Sequence, residues 1–326
     1  MIKVSICMAY YNRSEYVLEC VNSLLEQNYD AFEVIVVNDG SSDTLTKEKL
    51  NSIQNSRLRV VHQSNTGFVG AIRNAISLSQ GEYIAIQGAG DVSLPTRIEK
   101  QANVLDKNPE IGMVSCLFEN VDFGGEKNGF RTKRSYSRTN IDATDFLSGA
   151  NPFGHGEVMF RKSIYEKVGG YRTFFKFSQD LDLWLRMIEH CKAIIIPEYL
   201  YERRKFIKDG VSTDEKKLFL QKYLAEFARQ CYVDRKIEGS DFIDLYGMHA
   251  GLFKSPNKEI SKLISKRIFK ALKDENPSLV KFYTRFSKSE PKTIGLTIAL
   301  ALAEVNKFKL GQKLIAKSIQ LYLKIR

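Results

Sequence analysis

Val4-Ser5-Ile6-Cys7-Met8-Ala9-Tyr10-Tyr11-Asn12-Arg13 is a mostly apolar run that ends in polar side chains. Such a run predicts a buried β-strand followed by a turn. Ser14 can cap a helix that we expect from Glu15 to Gln27, and a second apolar run extends from Phe32 to Val37. A strand, a helix and another strand in this order predict a crossover between parallel strands.

The same alternation continues down the chain. Further strands and helices are predicted at Leu58 to Val61, Val69 to Leu78, Gly81 to Ile86, Pro95 to Asp106 and Ile111 to Cys116. This order of elements predicts an α/β fold of Rossmann-like architecture, in which helices flank a mostly parallel sheet.

Polar or glycine-rich turns follow three of the predicted strands. They are Tyr10-Tyr11-Asn12, Asn38-Asp39-Gly40-Ser41 and Gly88-Ala89-Gly90-Asp91. Ligands of open α/β sheets bind at the carboxyl ends of the strands, where such turns meet. We therefore expect one shared ligand crevice at this edge of the sheet.

The composition is that of a packed globular protein. The chain has 326 residues, of which 43% are hydrophobic and 27% are charged, so disorder along the whole chain is excluded. No run approaches the roughly 20 apolar residues of a membrane-spanning helix. The five cysteines are scattered without a CxxC pair, which argues against a disulfide framework or a zinc site. These features predict a cytoplasmic location.

The positive charge lies in the last third of the chain. Residues 1–212 hold 26 basic and 26 acidic side chains, whereas residues 213–326 hold 23 and 12. Apolar residues at helical spacing replace the strand pattern from about residue 213. We therefore predict two domains, 1–212 and an all-α, basic region 213–326. Its lysines are either solvated helix faces or a contact with an anionic membrane. Nucleic acid is not expected as a partner, because aromatic side chains are not interleaved with the basic ones.

Several motifs in residues 1–212 resemble the inverting glycosyltransferases of family 2, which have the GT-A fold and include bacterial enzymes of polysaccharide synthesis. Besides the first strand and turn, the matching motifs are Val36-Val37-Asn38-Asp39-Gly40-Ser41-Ser42-Asp43, Asn65-Thr66-Gly67 with Arg73-Asn74, Gly81-Glu82-Tyr83-Ile84-Ala85, Leu94-Pro95 with Arg97, Gly169-Gly170-Tyr171-Arg172 and Asp180-Leu181-Asp182-Leu183-Trp184-Leu185-Arg186. Residues 213–326 are not clearly covered by the resemblance.

The resemblance implies a nucleotide-sugar site at the predicted sheet edge. It assigns donor binding to the following residues: Ala9, Tyr11, Asn12, Asp39, Arg73 and Asp91. Asp39 is also a good turn residue in Asn-Asp-Gly-Ser, and the alternative for Arg73 is an arginine on a helix surface.

The resemblance also implies that Asp180 is the base that deprotonates the acceptor hydroxyl. An aspartate at this position would likewise suit the first turn of a helix, and Asp182 competes with Asp180 for either role. His155 and Glu157 flank a glycine in the segment that borders the acceptor in the family, where they could bind sugar hydroxyls. A structured loop is the alternative for this segment.

The sequence departs from the family at its Asp-x-Asp motif, which holds a divalent cation. Two of the expected carboxylates are Gly88 and Gly90, so only Asp91 is left to bind Mn²⁺ or Mg²⁺ together with the diphosphate. The alternative is a mechanism with little or no use of metal, in which Arg203 and Arg204 neutralise the leaving diphosphate.

Together these features predict an inverting glycosyltransferase that moves a sugar from a nucleotide-diphosphate donor to a hydroxyl of a glycan or lipid-linked glycan. It would make a cell-surface polysaccharide at the inner face of the cytoplasmic membrane. The alternative is a catalytically inactive GT-A-like scaffold that binds sugar nucleotide or glycan.

Overall fold

The computed structural model describes residues 1–122, 130–133, 138–149, 151–205 and 214–306. The strands of these residues are β1 (Val4–Tyr10), β2 (Phe32–Asp39), β3 (Leu58–Gln63), β4 (Tyr83–Gln87), β5 (Val92–Ser93), β6 (Ile111–Asp122), β7 (Phe130–Lys133), β8 (Asn140–Ile141), β9 (Met159–Arg161) and β10 (Lys192–Lys205).

Helices flank this sheet and then make up the end of the described chain. They are α1 (Val17–Leu25), α2 (Thr44–Ser52), α3 (Gly67–Ser77), α4 (Arg97–Lys107), α5 (Ala143–Leu147), α6 (Lys162–Lys167), α7 (Gln179–Met187), α8 (Glu215–Glu238), α9 (Phe242–Tyr246), α10 (Lys258–Lys273), α11 (Pro277–Phe286) and α12 (Ile294–Val305). None of the helices in the described residues is both long enough and apolar enough to cross a bilayer.

The predicted α/β fold is confirmed, with a sheet that is mixed in direction. Its strand order is β3-β2-β1-β4-β9-β6-β10-β5, with β7 paired to β6 and β8 to β10. Pairing is parallel from β3 to β4 and between β6 and β10, as the strand–helix alternation predicts. The difference from a mostly parallel sheet comes from β9, which lies between β4 and β6 and runs antiparallel to both, and from the short strands β5, β7 and β8, which also pair in the antiparallel sense.

The packing of α8 joins the sheet to the C-terminal helices. Phe227, Ala228 and Cys231 are buried in the core on one face of the sheet. Phe219, near the start of the same helix, is buried among apolar side chains of α10, α11 and α12. The predicted helical character after residue 213 is therefore found in residues 214–306. The division at residue 212 lies outside the described residues and stays a prediction.

Candidate active site

The ends of the parallel strands lie side by side along one edge of the sheet. The register places Tyr10 of β1 beside Asn38 of β2, and Asp39 beside Gln63 of β3. Met8 of β1 pairs with Gln87, the last residue of β4. This edge therefore brings together the turns that the sequence predicts to form a crevice.

Asp39 is almost fully buried at the end of β2. Its Oδ1 accepts hydrogen bonds from Gln63 Nε2 and from the backbone N of Thr66, each at 2.8 Å, and from Thr66 Oγ1 at 3.1 Å. No residue in the described part of the chain donates to its other oxygen, so Oδ2 keeps its capacity to accept a hydrogen bond from a ligand. Sequence reasoning missed Gln63, because only the pairing of β2 with β3 places it there.

Asn12 joins the turn after β1 to the turn after β2. Its Oδ1 accepts hydrogen bonds from the backbone N of Ser42 at 2.9 Å and of Asp43 at 3.2 Å, and its own N donates to Ser41 Oγ at 2.8 Å. Asn12 has φ near +56°, a left-handed conformation that asparagine adopts more readily than most residues. These contacts give Asn12 a role in shaping the crevice.

The other predicted donor-site residues near this edge differ in exposure. Ala9 is buried near the end of β1, whereas Tyr11 is 45% exposed just beyond it. Arg73 is exposed on α3, and its side chain has no hydrogen bond or ion pair with the described residues. Tyr11 and Arg73 are therefore accessible to a ligand.

Asp91 is buried and holds β10 against the turn after β4. Its Oδ2 accepts from Tyr201 Oη at 2.7 Å, and its Oδ1 accepts from the backbone N of Arg204 at 2.8 Å. The same tyrosine oxygen accepts from the backbone N of Gly88 at 3.0 Å. Burial raises the pKa of Asp91 to about 6.

This donor set does not fit a divalent cation. A Cβ at Gly88 would lie 2.1 Å from Asp91 Oδ2 and 3.1 Å from Tyr201 Oη, so the fold has no room there for the carboxylate that the family motif expects. No cluster of three or more His, Cys, Asp or Glu side chains suited to a metal ion occurs within the described ranges. A divalent cation stays a prediction of the resemblance.

The two arginines predicted to neutralise the diphosphate have different surroundings. Arg204 is buried. Its guanidinium donates to Gly90 O at 2.8 Å and pairs with Glu19 at 2.9 Å. Arg203 is partly exposed; its Nε donates to Asn120 Oδ1 at 2.8 Å and its guanidinium stacks on Phe118. The terminal nitrogens of Arg203 make no hydrogen bond to the described residues, so Arg203 is the better candidate of the two for neutralising the diphosphate.

Asp180 lies in the first turn of α7. Ser178, which precedes the helix, has φ near +57°, and its Oγ donates to the backbone O of Gln221 in α8 at 2.7 Å. Asn151 Nδ2 donates to Asp180 Oδ2 at 3.1 Å. Burial raises the pKa of Asp180 to about 6, and the charge of Glu157 adds to this effect. Asp180 is thus a carboxylate with no cationic partner in the described residues and a pKa near neutrality.

Asp182, the competing aspartate, is committed to ion pairs inside the protein. It is 1% exposed and contacts the guanidinium groups of Arg172 and Arg186, the latter at 2.8 Å. Arg172 also pairs with Asp241 of α9 at 2.8 Å. Asp182 therefore fixes α7 to its neighbours and is not available to an acceptor.

His155 and Glu157 lie near Asp180, but their accessibility differs. His155 Nε2 is 2.7 Å from Tyr171 Oη and is partly exposed, and burial lowers its pKa to about 4. Glu157 is 1% exposed; its Oε1 accepts from the backbone N of Gly154, and its buried Oε2 has no partner in the described residues. Glu157 therefore acts on Asp180 through its charge, and His155 is the more accessible of the two predicted acceptor residues.

Comparisons with known proteins identify the family of the chain. The family model described as glycosyl transferase family 2 matches residues 5–169, about half of the chain. EpsE of Bacillus subtilis, which is named as a glycosyltransferase, is 32% identical over 209 residues, covering 62% of this chain and 73% of EpsE. The uncharacterized glycosyltransferase RC0461 of Rickettsia conorii is 27% identical over 252 residues, and the match spans 41% of its length.

A solved structure shares the fold. The crystal structure of S. aureus TarS 1-349 in complex with UDP-GlcNAc aligns with 98% of this chain and 92% of that chain, with a TM-score of 0.56 and 16% sequence identity. At this identity the likeness concerns the fold alone. Together with the family match and the similarity to EpsE, it shows that the chain belongs to glycosyl transferase family 2 and is a glycosyltransferase with the GT-A fold.

Proposed function

We propose that this protein is an inverting glycosyltransferase that moves a sugar from a nucleotide-diphosphate donor to a hydroxyl of a glycan or lipid-linked glycan in the synthesis of a cell-surface polysaccharide. The observation that carries the proposal is the contrast between the two aspartates of α7. Asp182 is neutralised by two arginines, whereas Asp180 accepts from backbone N–H groups and the Asn151 amide, has no cationic partner in the described residues, and has a pKa of about 6. A general base needs such a pKa near the working pH.

In the proposed reaction Asp180 removes the proton of the acceptor hydroxyl as that oxygen attacks the anomeric carbon of the donor. The bond from the anomeric carbon to the diphosphate oxygen breaks on the opposite side, which inverts the configuration. Asp180 keeps the proton, and the nucleoside diphosphate leaves as an anion. The guanidinium of Arg203 offers the positive charge that stabilises this leaving group, because its terminal nitrogens are not used within the described fold.

Binding of the nucleotide tests the role of Asp39. A uridine diphosphate sugar is the first donor to try, since TarS, which has a similar fold, was crystallised with UDP-GlcNAc. Asp39→Ala should weaken binding of the free nucleoside diphosphate by ~1.5–3 kcal/mol, the value of a hydrogen bond to a charged group. Calorimetry with a panel of nucleoside diphosphates measures this change.

Asp30→Ala is the matched control for Asp39→Ala, because the Asp30 side chain is exposed and, among the described residues, contacts only Arg57 in a surface ion pair. Asp30→Ala should leave nucleotide affinity unchanged. Equal affinity in Asp39→Ala and wild type would make Asp39 a turn residue only. Nucleotide binding without turnover of any donor would instead favour the inactive scaffold, which the loss of carboxylates at Gly88 and Gly90 also suggests.

Removal of divalent cations tests the second part of the proposal. Because both oxygens of Asp91 accept hydrogen bonds from β10, we expect a chelator to leave the transfer rate largely unchanged. Asp91→Asn should lower the rate much less than Asp180→Asn does. Complete loss of transfer on chelation, restored by Mn²⁺, would contradict this expectation and would assign the cation to Asp91 and the diphosphate.

We also propose that residues 213–326 hold the protein at the anionic inner face of the cytoplasmic membrane, by distributed charge attraction of ~1 kcal/mol per lysine or arginine near the surface. Deletion from Pro291 onward is a poor test, because it removes Leu296, Ala299 and Ala303, which are buried in the helical core. Binding of the full chain to anionic vesicles, and its decrease with salt, is the better measurement.

A further inference from the structure

A groove separates α5 from α8 and α10 on the side of the molecule that carries Asp180. Its volume is about 600 Å³, within the ~300–1,000 Å³ range of small-ligand sites. Its lining includes Leu147, Ser148, Lys222, Arg229, Lys262 and Lys266.

Hydrogen bonds and ion pairs join the walls of this groove, and the acidic side chains of the groove take part in them. Arg229 is buried, donates from Nε to the backbone O of Phe146 at 3.0 Å and pairs with Glu226 at 2.6 Å. The other oxygen of Glu226 accepts from Asn257 Nδ2, just before α10, at 2.9 Å. These bonds hold α5, α8 and the start of α10 in one arrangement without a ligand.

The remaining charge of the groove is positive. Lys262 pairs with Glu259 at 2.6 Å. Lys222 of α8 and Lys266 of α10 are exposed and have neither a hydrogen bond nor an ion pair with the described residues. Two ammonium groups from different helices therefore face one groove in which the carboxylates are already paired.

The groove begins beside the proposed base. Leu147 to Gly149 line it, and Asn151, two residues further on, donates to Asp180. On the opposite wall, Ser178 donates to the backbone O of Gln221, which is the residue next to Lys222. A molecule that presents a hydroxyl to Asp180 would thus have this groove close by.

We propose that this groove binds the acceptor and that Lys222 and Lys266 recognise a phosphate group borne by the acceptor glycan. The inference rests on the proposed function and adds the chemical class of its acceptor. Lysine is a compact point charge with three donors, which suits phosphate in varied orientations, whereas a planar carboxylate is matched better by the arginine fork. Arg229, the arginine of this groove, is already bound to Glu226 and Phe146.

The test compares Lys222→Gln/Lys266→Gln with Lys273→Gln/Lys281→Gln in the full chain. The second pair removes the same charge from exposed lysines outside the groove. Calorimetry with a short linear inorganic polyphosphate, in saturating UDP to occupy the nucleotide site, measures anion binding. We expect the groove variant to bind about 5- to 30-fold more weakly than wild type, the scale of two partly exposed ion pairs. The control variant should bind like wild type, and binding should weaken with salt.

Vesicles of anionic phospholipid form the second arm. If the groove serves the acceptor, both variants should bind such vesicles equally. Equal polyphosphate binding in the two variants, or none in wild type, would overturn the proposal. A loss of vesicle binding confined to the groove variant, with polyphosphate binding intact, would overturn it in favour of a membrane site. Affinity for the panel of nucleoside diphosphates separates the groove from the proposed function. If wild type binds none of them, the proposed function itself is contradicted, whereas a failure of the groove leaves that function intact.

Discussion

Asp180→Asn is expected to lower the rate of sugar transfer by about 100-fold or more, the scale of a lost general base. The substitution keeps the size of the side chain and its place in the first turn of α7, but an amide cannot take the proton of the acceptor hydroxyl. Asp182, the other carboxylate at the start of this helix, is paired with two arginines and cannot take over this role. Initial rates with donor and acceptor give the measurement, and the dissociation constant of the nucleotide should stay unchanged.

The pH dependence of the wild-type rate is the second readout for Asp180. Because burial raises the pKa of Asp180 to about 6, the base is charged and active above this pH and is protonated below it. The rate should therefore fall as the pH decreases through about 6. His155, with a pKa of about 4, remains neutral over this range. Asp91 also titrates near 6, so the same limb should persist in Asp91→Asn. A near-normal rate in Asp180→Asn would remove Asp180 from the mechanism.

The strand ends on the donor side of the site could be predicted from sequence, because local patterns determine them. Apolar runs that stop at a polar turn predict β1, β2 and β4, and parallel pairing then places Asp39 beside the end of β3. The role of Asp180 follows instead from the resemblance to the family, since the local pattern alone is equally that of a helix start. The sequence leaves the choice between Asp180 and Asp182 open, because it does not show which of the two carboxylates Arg172 and Arg186 contact.

The portion of the candidate site around Asp91 depends on contacts between residues distant in sequence, which no local sequence pattern reveals. Tyr201 meets Asp91 and Gly88 across more than a hundred residues of chain. Its strand, β10, was not predicted, since Pro197 interrupts the pattern and the pairing with β6 shifts register between Ile196 and Tyr199. From the sequence, Gly88 is therefore interpreted as the loss of a carboxylate. In the fold, Asp91 and Tyr201 occupy the space that a side chain at position 88 would need.

Asp182→Asn should mainly lower the stability of the fold, whereas Asp180→Asn should mainly lower the transfer rate. Asp182 is 1% exposed between the guanidinium groups of Arg172 and Arg186. Removal of one partner from a buried ion pair costs about 3–5 kcal/mol, because the remaining charges are left uncompensated. Burial opposes ionisation here, but the two arginines hold the pKa of Asp182 below its usual range. The stabilisation is therefore present at neutral pH and is lost only as the pH falls through that lowered pKa.

Thermal unfolding at neutral pH measures this loss, and we expect the midpoint of Asp182→Asn to fall by about 5–10 °C. Asp180→Asn is the matched control, in the same turn of α7. Its neutral amide avoids the desolvation that raises the pKa of Asp180, so its midpoint should equal or exceed that of wild type. Equal midpoints for Asp182→Asn and wild type would mean that the arginine pairs do not stabilise the fold. Asp182 would then return as a candidate base, because a carboxylate that is dispensable for folding is free to serve the acceptor.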